Sequence, residues 1–218
     1  MRKLLLLVSA FLVACGSDPK GGGPLSGTVG GRSFSPVEVR AITAGTGTAP
    51  CSVPLGGTTV SVGVKALALE VTSYANACGD FANTQCTFHM NAQSVTVLAA
   101  RLNPAGTEPA LNPGTYTINS SPATVTPDGS TGLLIAAYAQ ALATNGTCVG
   151  TPSPSVAGGT LRLDQVTGPV TGHVAVTFQD GSSLEGDFSA PLCPGPSPDV
   201  CSLATAQALC TMPPVCVP

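Results

Sequence analysis

Short runs of alternating apolar and polar residues, separated by turn signals, recur along the chain from Leu25 onward. The clearest run is HVAVTFQDGSSLEGDF, in which apolar residues occupy every second position before and after QDG. Because successive side chains of a strand point to opposite faces, this period predicts half-buried strands joined by tight turns. We therefore expect an all-β, antiparallel fold, built as a β-sandwich or as a barrel-like single domain.

The turn in this run has two candidate geometries. A two-residue Asp-Gly turn would set Val176 opposite Glu185 and would mix the apolar and polar faces. A three-residue loop of residues 179–181 sets Val176 opposite Leu184 and places Gly181 where a left-handed conformation is needed. The sequence therefore predicts the three-residue loop.

Two further segments test the strand assignment. In TTVSVGVKALALEV, the valines of the first half and the apolar residues of the second half have opposite parity, which predicts a bulge or bend near Lys65. The Ala-rich segment LLIAAYAQALA, residues 133–143, has the composition of a helix. Its turn-rich flanks and its lack of a charged face favour a buried strand instead.

The charge content excludes several classes of protein. The chain carries 8 basic and 11 acidic side chains, and charged residues make up only 9% of it. A basic footprint for nucleic acid is therefore missing, and no nucleic-acid partner is expected. The chain also has too few charges for an acidic disordered tail and too few Leu, Glu and Lys residues for a helical bundle.

The N-terminus has the order of a secretory signal. Arg2 and Lys3 precede an apolar run that ends at Ala14, and Cys15 follows directly. The run is much shorter than the about 20 residues that a membrane-spanning helix needs, so cleavage is expected rather than permanent insertion.

This reading divides the chain into four parts. The parts are a signal peptide over residues 1–14, a Gly-rich flexible tether over residues 15–24, an antiparallel β domain over residues 25–193, and a Pro- and Cys-rich tail over residues 194–218. The tail includes a predicted short helix, SLATAQALC, with Ser202 as its N-cap.

The segment LVAC resembles the lipobox of bacterial lipoproteins. The resemblance implies that the Cys15 thiol carries a diacylglyceryl group and that its amine is acylated, and two or more acyl chains anchor a protein stably. Gly16, rather than aspartate, follows the cysteine, which in this family implies the outer membrane of a Gram-negative bacterium. The alternative is a secretory signal cut elsewhere, with Cys15 as an unpaired thiol.

The remaining cysteines are even in number, which in an exported chain predicts structural disulfides. Zinc is the rival explanation, but the sequence has no C-x2-C pair and only two histidines, so no metal or cofactor is expected. Cys78 and Cys86 bracket a polar segment and form the favoured pair. The eight cysteines are Cys51, Cys78, Cys86, Cys148, Cys193, Cys201, Cys210 and Cys216.

The order of the motifs is similar to that of uncharacterised single-domain β lipoproteins of Gram-negative bacteria. The likeness covers Leu25 to Cys193 and rests on the opening GGRSF, the central NPGTYTI and the closing GGTLRLDQVTGPVTGHVAVTFQDGSSLEGDF. Some of these proteins carry a tryptophan where this chain has Phe34. The resemblance implies a fold and no activity.

Motifs of catalysis are weak in this sequence. SDPK matches the S-x-x-K pattern, but it lies in the tether, where nothing would hold the lysine against the serine. His89 and His173 lie in strand-like runs and are predicted to be structural or surface residues. Asp180, Glu185 and Asp187 cluster at one hairpin, where a solvated turn is favoured over a weak calcium site.

Three classes of function remain. The first is a membrane-anchored, non-catalytic structural or interaction module, whose partner is a protein or small ligand of the envelope. The second is a lipocalin-like binder of a small apolar ligand, and the third is a hydrolase whose catalytic residues assemble from distant positions. A lined apolar cavity would favour the second class, a polar cleft holding a histidine the third, and neither feature the first.

Overall fold

The computed structural model describes residues 23–46, 51–55, 58–82, 87–121, 124–129, 131–195 and 215–218. Cys15, Cys86, Cys201, Cys210, the tether motif SDPK and the predicted helix at residues 202–210 lie outside these ranges. Apart from the pairing of Cys86 with Cys78, the predictions made for them remain untested.

Strands dominate the described residues, together with one short helix, α1 (Ala77–Ala82). This part of the chain contains no helix with the length and apolar character that crossing a bilayer requires. The strands are β1 (Ser26–Val29), β2 (Arg32–Phe34), β3 (Glu38–Gly45), β4 (Cys51–Leu55), β5 (Thr58–Thr72), β6 (Thr87–His89), β7 (Gln93–Asn103), β8 (Gly114–Ile118), β9 (Thr126–Pro127), β10 (Leu134–Thr144), β11 (Gly150–Thr151), β12 (Val156–Gln165), β13 (Val170–Phe178), β14 (Ser183–Ala190) and β15 (Val215–Val217).

Most of these strands form two antiparallel sheets. The first sheet has the order β2-β1-β14-β13-β12-β8, and the second has the order β11-β10-β7-β5-β3, with β4 paired to β5 and β9 paired to β10. A separate parallel pair joins β6 to β15. The predicted all-β, antiparallel class is therefore confirmed.

The two sheets pack face to face and also meet at their edges. Apolar side chains of both sheets fill one core, which includes Phe34 and Phe178 of the first sheet and Leu67 of the second. At one edge Ala41 bridges Leu192, and at the other Asn119 bridges Tyr138. The architecture is therefore a sandwich whose edges are joined, which combines both forms predicted from the sequence.

The predicted hairpin register is confirmed. Val176 pairs with Leu184, and the amide of Phe178 donates to the carbonyl of Ser182 at 2.9 Å, which leaves a three-residue loop. Gly181 has a φ of 82°, as the left-handed position requires.

The Ala-rich segment also forms the predicted strand, β10. It pairs with β7 over ten residues, and its odd-numbered alanines, such as Ala139, face the core between the sheets. Their small side chains suit a site where two sheets approach each other closely.

The predicted bulge near Lys65 is wrong. The pairing of β5 with β7 runs from Gly63↔Asn103 to Thr72↔Ser94 without any register shift. The parity change arises because the two halves of β5 bury opposite faces. Val62 and Val64 face a second apolar cluster on the outer side of the sheet, whereas Leu69 faces the core between the sheets.

The favoured pair Cys78–Cys86 is also wrong, because Cys78 is bonded to Cys193, 115 residues away. The reason is tertiary: the amide of Cys193 donates to the carbonyl of Ala41 at 2.8 Å, which brings Cys193 to the sheet edge near α1. A second disulfide joins Cys148 to Cys216, and Cys51 is disulfide-bonded as well. The prediction of structural disulfides is thus confirmed for the described cysteines.

Candidate functional site

A polar cleft lies on the outer face of the second sheet, with a volume of about 220 Å³. Its floor contains Glu70, Thr96 and Gln140, which lie directly across from one another on three neighbouring strands, β5, β7 and β10. Neighbouring strands are about 4.8 Å apart, so the three side chains form a continuous polar row.

The position of the cleft follows from where the outer cluster ends. Ala66 and Ala100 belong to that cluster, which covers one end of the outer face. Glu70 and Thr96 lie on the same face, two strand periods further along, outside the cluster. The outer face is therefore apolar where the cluster covers it and polar where the cleft begins.

One wall of the cleft is formed by two stacked rings. Tyr74 and His89 have ring centroids 3.9 Å apart and planes 17° apart. Behind this stack, Nε2 of His89 lies 2.8 Å from Oδ2 of Asp80, and both side chains are largely buried. The cleft thus brings His89, predicted from the sequence to be a structural or surface residue, together with Tyr74 and Asp80, which no sequence motif marks.

Helix α1 holds Asp80 in this position. The amide of Ala77 at the start of the helix donates to Oε2 of Glu38 at 2.8 Å. The next residue, Cys78, is bonded to Cys193 beside the edge of β3. The helix is therefore fixed to the sandwich both by a hydrogen bond and by a covalent bond.

Strand β6 holds His89. It pairs with β15, whose Cys216 is bonded to Cys148, and the amide of Met90 donates to the carbonyl of Val217 at 2.8 Å. The hydroxyl of Thr144 also donates to the carbonyl of His89. The histidine wall is therefore attached to the loop after β10 through a different disulfide from the one that holds α1.

The electrostatics of the cleft are dominated by carboxyl groups. Burial raises the pKa of Glu70 above its ordinary value, although hydrogen bonds from Thr96, at 2.6 Å, and Ser94 partly offset this effect. Burial, followed by the charges of Glu70, Asp80 and Glu38, raises the pKa of Tyr74 to about 12. Among the described residues that line the cleft there is no lysine or arginine.

The arginine on the strand next to Glu70 is paired with a different carboxylate. Arg40 lies across from Glu70 on β3, but its Nε lies 2.5 Å from Oε1 of Glu38. Burial would raise the pKa of Glu38, but the hydrogen bond from Ala77 and the charge of Arg40 outweigh it and lower the pKa. Glu38 and Arg40 therefore form an ion pair beside the cleft.

A comparison with protein families, curated proteins and solved structures found no match. Function must therefore be inferred from the geometry of the site itself. Within the described ranges, no group of three or more His, Cys, Asp and Glu side chains has an arrangement that could hold a metal ion.

The second predicted histidine lies elsewhere. His173 is on β13 of the first sheet, where its Nδ1 is 2.9 Å from Asp187 and its Nε2 is 3.7 Å from Glu185. Both carboxylates are at least about half exposed, at 47% and 67%. Asp180 instead accepts hydrogen bonds from Ser182 within the turn. The structure therefore places this group on a solvated surface.

One sequence signal points to the residue that was missed. Glu70 is the only charged residue after Lys65 in the strand sequence KALALEVT. A carboxyl group in such an apolar strand is unusual, because burial of an unpaired charge is costly. Asp80, by contrast, lies in a polar segment and carries no comparable signal.

Proposed function

We propose that the chain is a lipid-anchored module of the bacterial cell envelope, at the outer membrane, that binds a small polar molecule without catalysing a reaction. The observation that carries the binding function is the polar row of Glu70, Thr96 and Gln140 on the floor of the cleft. Convergent polar groups in a concave site are the usual mark of a small-molecule site. The anchor is supported by the sequence LVAC.

The polar lining favours this function over a lipocalin-like one. Binding of an apolar ligand between the sheets would need space there, and apolar side chains from both sheets pack together in that region. The cleft described here lies on the outside of the sandwich and presents carboxyl, hydroxyl and amide groups. A ligand with hydrogen-bonding groups suits it better than a hydrocarbon.

A polar cleft that holds a histidine is the feature expected of a hydrolase, and His89 in this cleft is paired with a carboxylate, as a general base often is, so a hydrolase is the second candidate. Among the described hydrogen bonds, however, none joins a hydroxyl group to the His89 ring. The hydroxyl of Thr144 contacts the backbone carbonyl of His89 instead. A nucleophile activated by this imidazole is therefore not part of the proposal.

Two assays on the purified full chain separate these candidates. In the first, a library of small polar molecules is screened by backbone amide chemical shifts, and saturable changes are expected at the cleft strands β5, β7 and β10. In the second, ester, peptide and glycoside substrates are tested with the wild type, His89→Ala and the control His173→Ala. Turnover that is lost in His89→Ala but kept in His173→Ala would contradict the non-catalytic binding function and support the hydrolase.

The anchor has its own test. Cells grown with labelled palmitate should incorporate label into the wild type and the control Ser17→Ala but not into Cys15→Ser. Equal labelling of all three, or a mature N-terminus away from Cys15, would contradict the lipid anchor.

A further inference from the structure

We propose that the cleft recognises its ligand through a primary ammonium group, which binds against the hydrogen-bonded pair of Glu70 and Thr96 and contacts both side chains. This inference rests on the proposed binding function and names the class of its ligand. It is carried by the hydrogen-bonding state of the two side chains and by the signs of the charges around them.

The Glu70–Thr96 pair on the floor of the cleft offers free acceptors to a ligand. Thr96 uses its hydroxyl hydrogen to donate to Oε2 of Glu70 at 2.6 Å, so its oxygen lone pairs remain available. The Glu70 carboxylate has further lone pairs on both oxygens, and the Gln140 amide, in the next position of the row, has an oxygen that can accept as well. An ammonium group has three donors and no acceptor, so it complements this set of atoms.

The surrounding charges favour a cation. The titratable and charged side chains that face Glu70 from the neighbouring elements are Glu38 and Arg40 of β3, Tyr74 after β5, Asp80 of α1 and His89 of β6. Arg40 is paired with Glu38, and His89 is paired with Asp80. The Glu70 carboxyl is thus left without a cation among its described partners, and a bound ammonium would supply one.

The size of the cleft limits the rest of the ligand. A volume of about 220 Å³ is smaller than that of most drug-sized pockets, which start at about 300 Å³. Leu142 also lines the cleft and is 40% exposed, so it offers apolar contact to a short alkyl chain. A short alkylamine is therefore the simplest ligand that satisfies both ends of the site.

The test compares three probes of the same length on the full chain, by amide chemical shifts at neutral pH: n-butylamine, n-butanol and butyrate. We expect n-butylamine to bind at least about 10-fold more tightly than n-butanol, because a hydrogen bond to a charged partner is roughly twice as strong as a neutral one. Butyrate should bind least. The affinity for the amine should fall as the pH is lowered and Glu70 becomes protonated, and the affinity for the alcohol should not.

Variants locate the effect. Glu70→Gln should remove the preference for the amine over the alcohol, whereas the matched control Glu185→Gln, an exposed glutamate on the first sheet, should keep it. Gln140→Lys alters an exposed side chain and keeps Glu70 intact. It should weaken amine binding about 10-fold or more by placing an internal ammonium in the row.

Equal affinity for the amine and the alcohol, tighter binding of butyrate, or no cleft shifts with the amine at about 10 mM would overturn the ammonium assignment. Retention of the amine preference in Glu70→Gln, or an unchanged affinity for the amine in Gln140→Lys, would overturn it as well. Failure of the broader binding function would appear differently, as no cleft ligand at all in the library screen.

Discussion

Nε2 of His89 and Oδ2 of Asp80 lie 2.8 Å apart on elements that are held by different disulfides. Cys78, two residues before Asp80 in α1, is bonded to Cys193, whereas the strand that carries His89 pairs with the strand that contains Cys216. The cleft wall is therefore assembled from two independently fastened pieces.

The Cys78–Cys193 bond should be the larger contributor of the two to global stability. It closes a loop of 115 residues, for which the chain-entropy model gives about 5 kcal/mol. The double variant Cys78→Ser with Cys193→Ser is expected to lose about that free energy of unfolding in urea denaturation. Peptide mapping of the unreduced protein should recover Cys78 linked to Cys193, and a peptide linking Cys78 to Cys86 would contradict this pairing.

The Asp80–His89 pair should contribute more to stability than the other Asp–His pair. Asp80→Asn removes the charge from a largely buried hydrogen bond and is expected to cost about 1–2 kcal/mol. The matched control Asp187→Asn affects the 2.9 Å contact between Asp187 and His173. Because the Asp187 carboxylate is about half exposed, the expected loss in the free energy of unfolding is about 0.5 kcal/mol or less. Equal losses in urea denaturation would show that burial does not distinguish the pairs.

Tyr74 should make stability fall at alkaline pH. Its pKa is raised from 10.0 to about 12 in the folded state, so between these values the unfolded chain loses a proton that the folded chain retains. The stabilisation is complete below pH 10 and is lost as the pH rises through about 12. Because the side chain is only partly buried, we discount the effect to about 1 kcal/mol. Tyr74→Phe should remove it, and it should reduce the late tyrosinate absorbance without abolishing it, because burial also raises the pKa of Tyr116.

Glu70 should make stability depend on pH in the acidic range. Burial raises its pKa above the ordinary 4.5, so the folded chain holds a proton that the unfolded chain has already lost. The resulting stabilisation is fully present below pH 4.5 and is lost as the pH rises through the folded-state pKa. Glu70→Gln is therefore expected to reduce the loss of stability between acidic and neutral pH, measured by urea denaturation across that range. An unchanged pH profile in Glu70→Gln would contradict the raised pKa.

The hairpin loop gives a backbone prediction. A Cβ at Gly181 would meet nothing within 4 Å, so Gly181→Ala tests the φ of 82° alone and should cost about 1 kcal/mol. Gly150→Ala is the control, because a Cβ there also meets nothing and its φ lies outside the left-handed region. Both are compared by thermal denaturation, and a similar change in each would contradict the argument.

The fold was predicted where the decisive information was local. The pairing of Val176 with Leu184 follows from alternation over sixteen residues and from one glycine. The partner of Cys78 was missed because it depends on a sheet edge formed by segments far apart in sequence. The same applies to the site: His89 was noted, but its contact with Asp80 depends on how α1 packs, which periodicity does not encode.

The change of buried face along β5 also affects how the protein unfolds locally. Because this strand of fifteen residues contributes Val62 to one apolar cluster and Leu69 to the other, neither cluster can come apart without disturbing the strand that both share. Amide hydrogen exchange along β5 should therefore report a single cooperative unit, with similar protection in its two halves. Glu70 belongs to that unit, so the floor of the cleft is expected to be as slow to open as the interior of the sandwich.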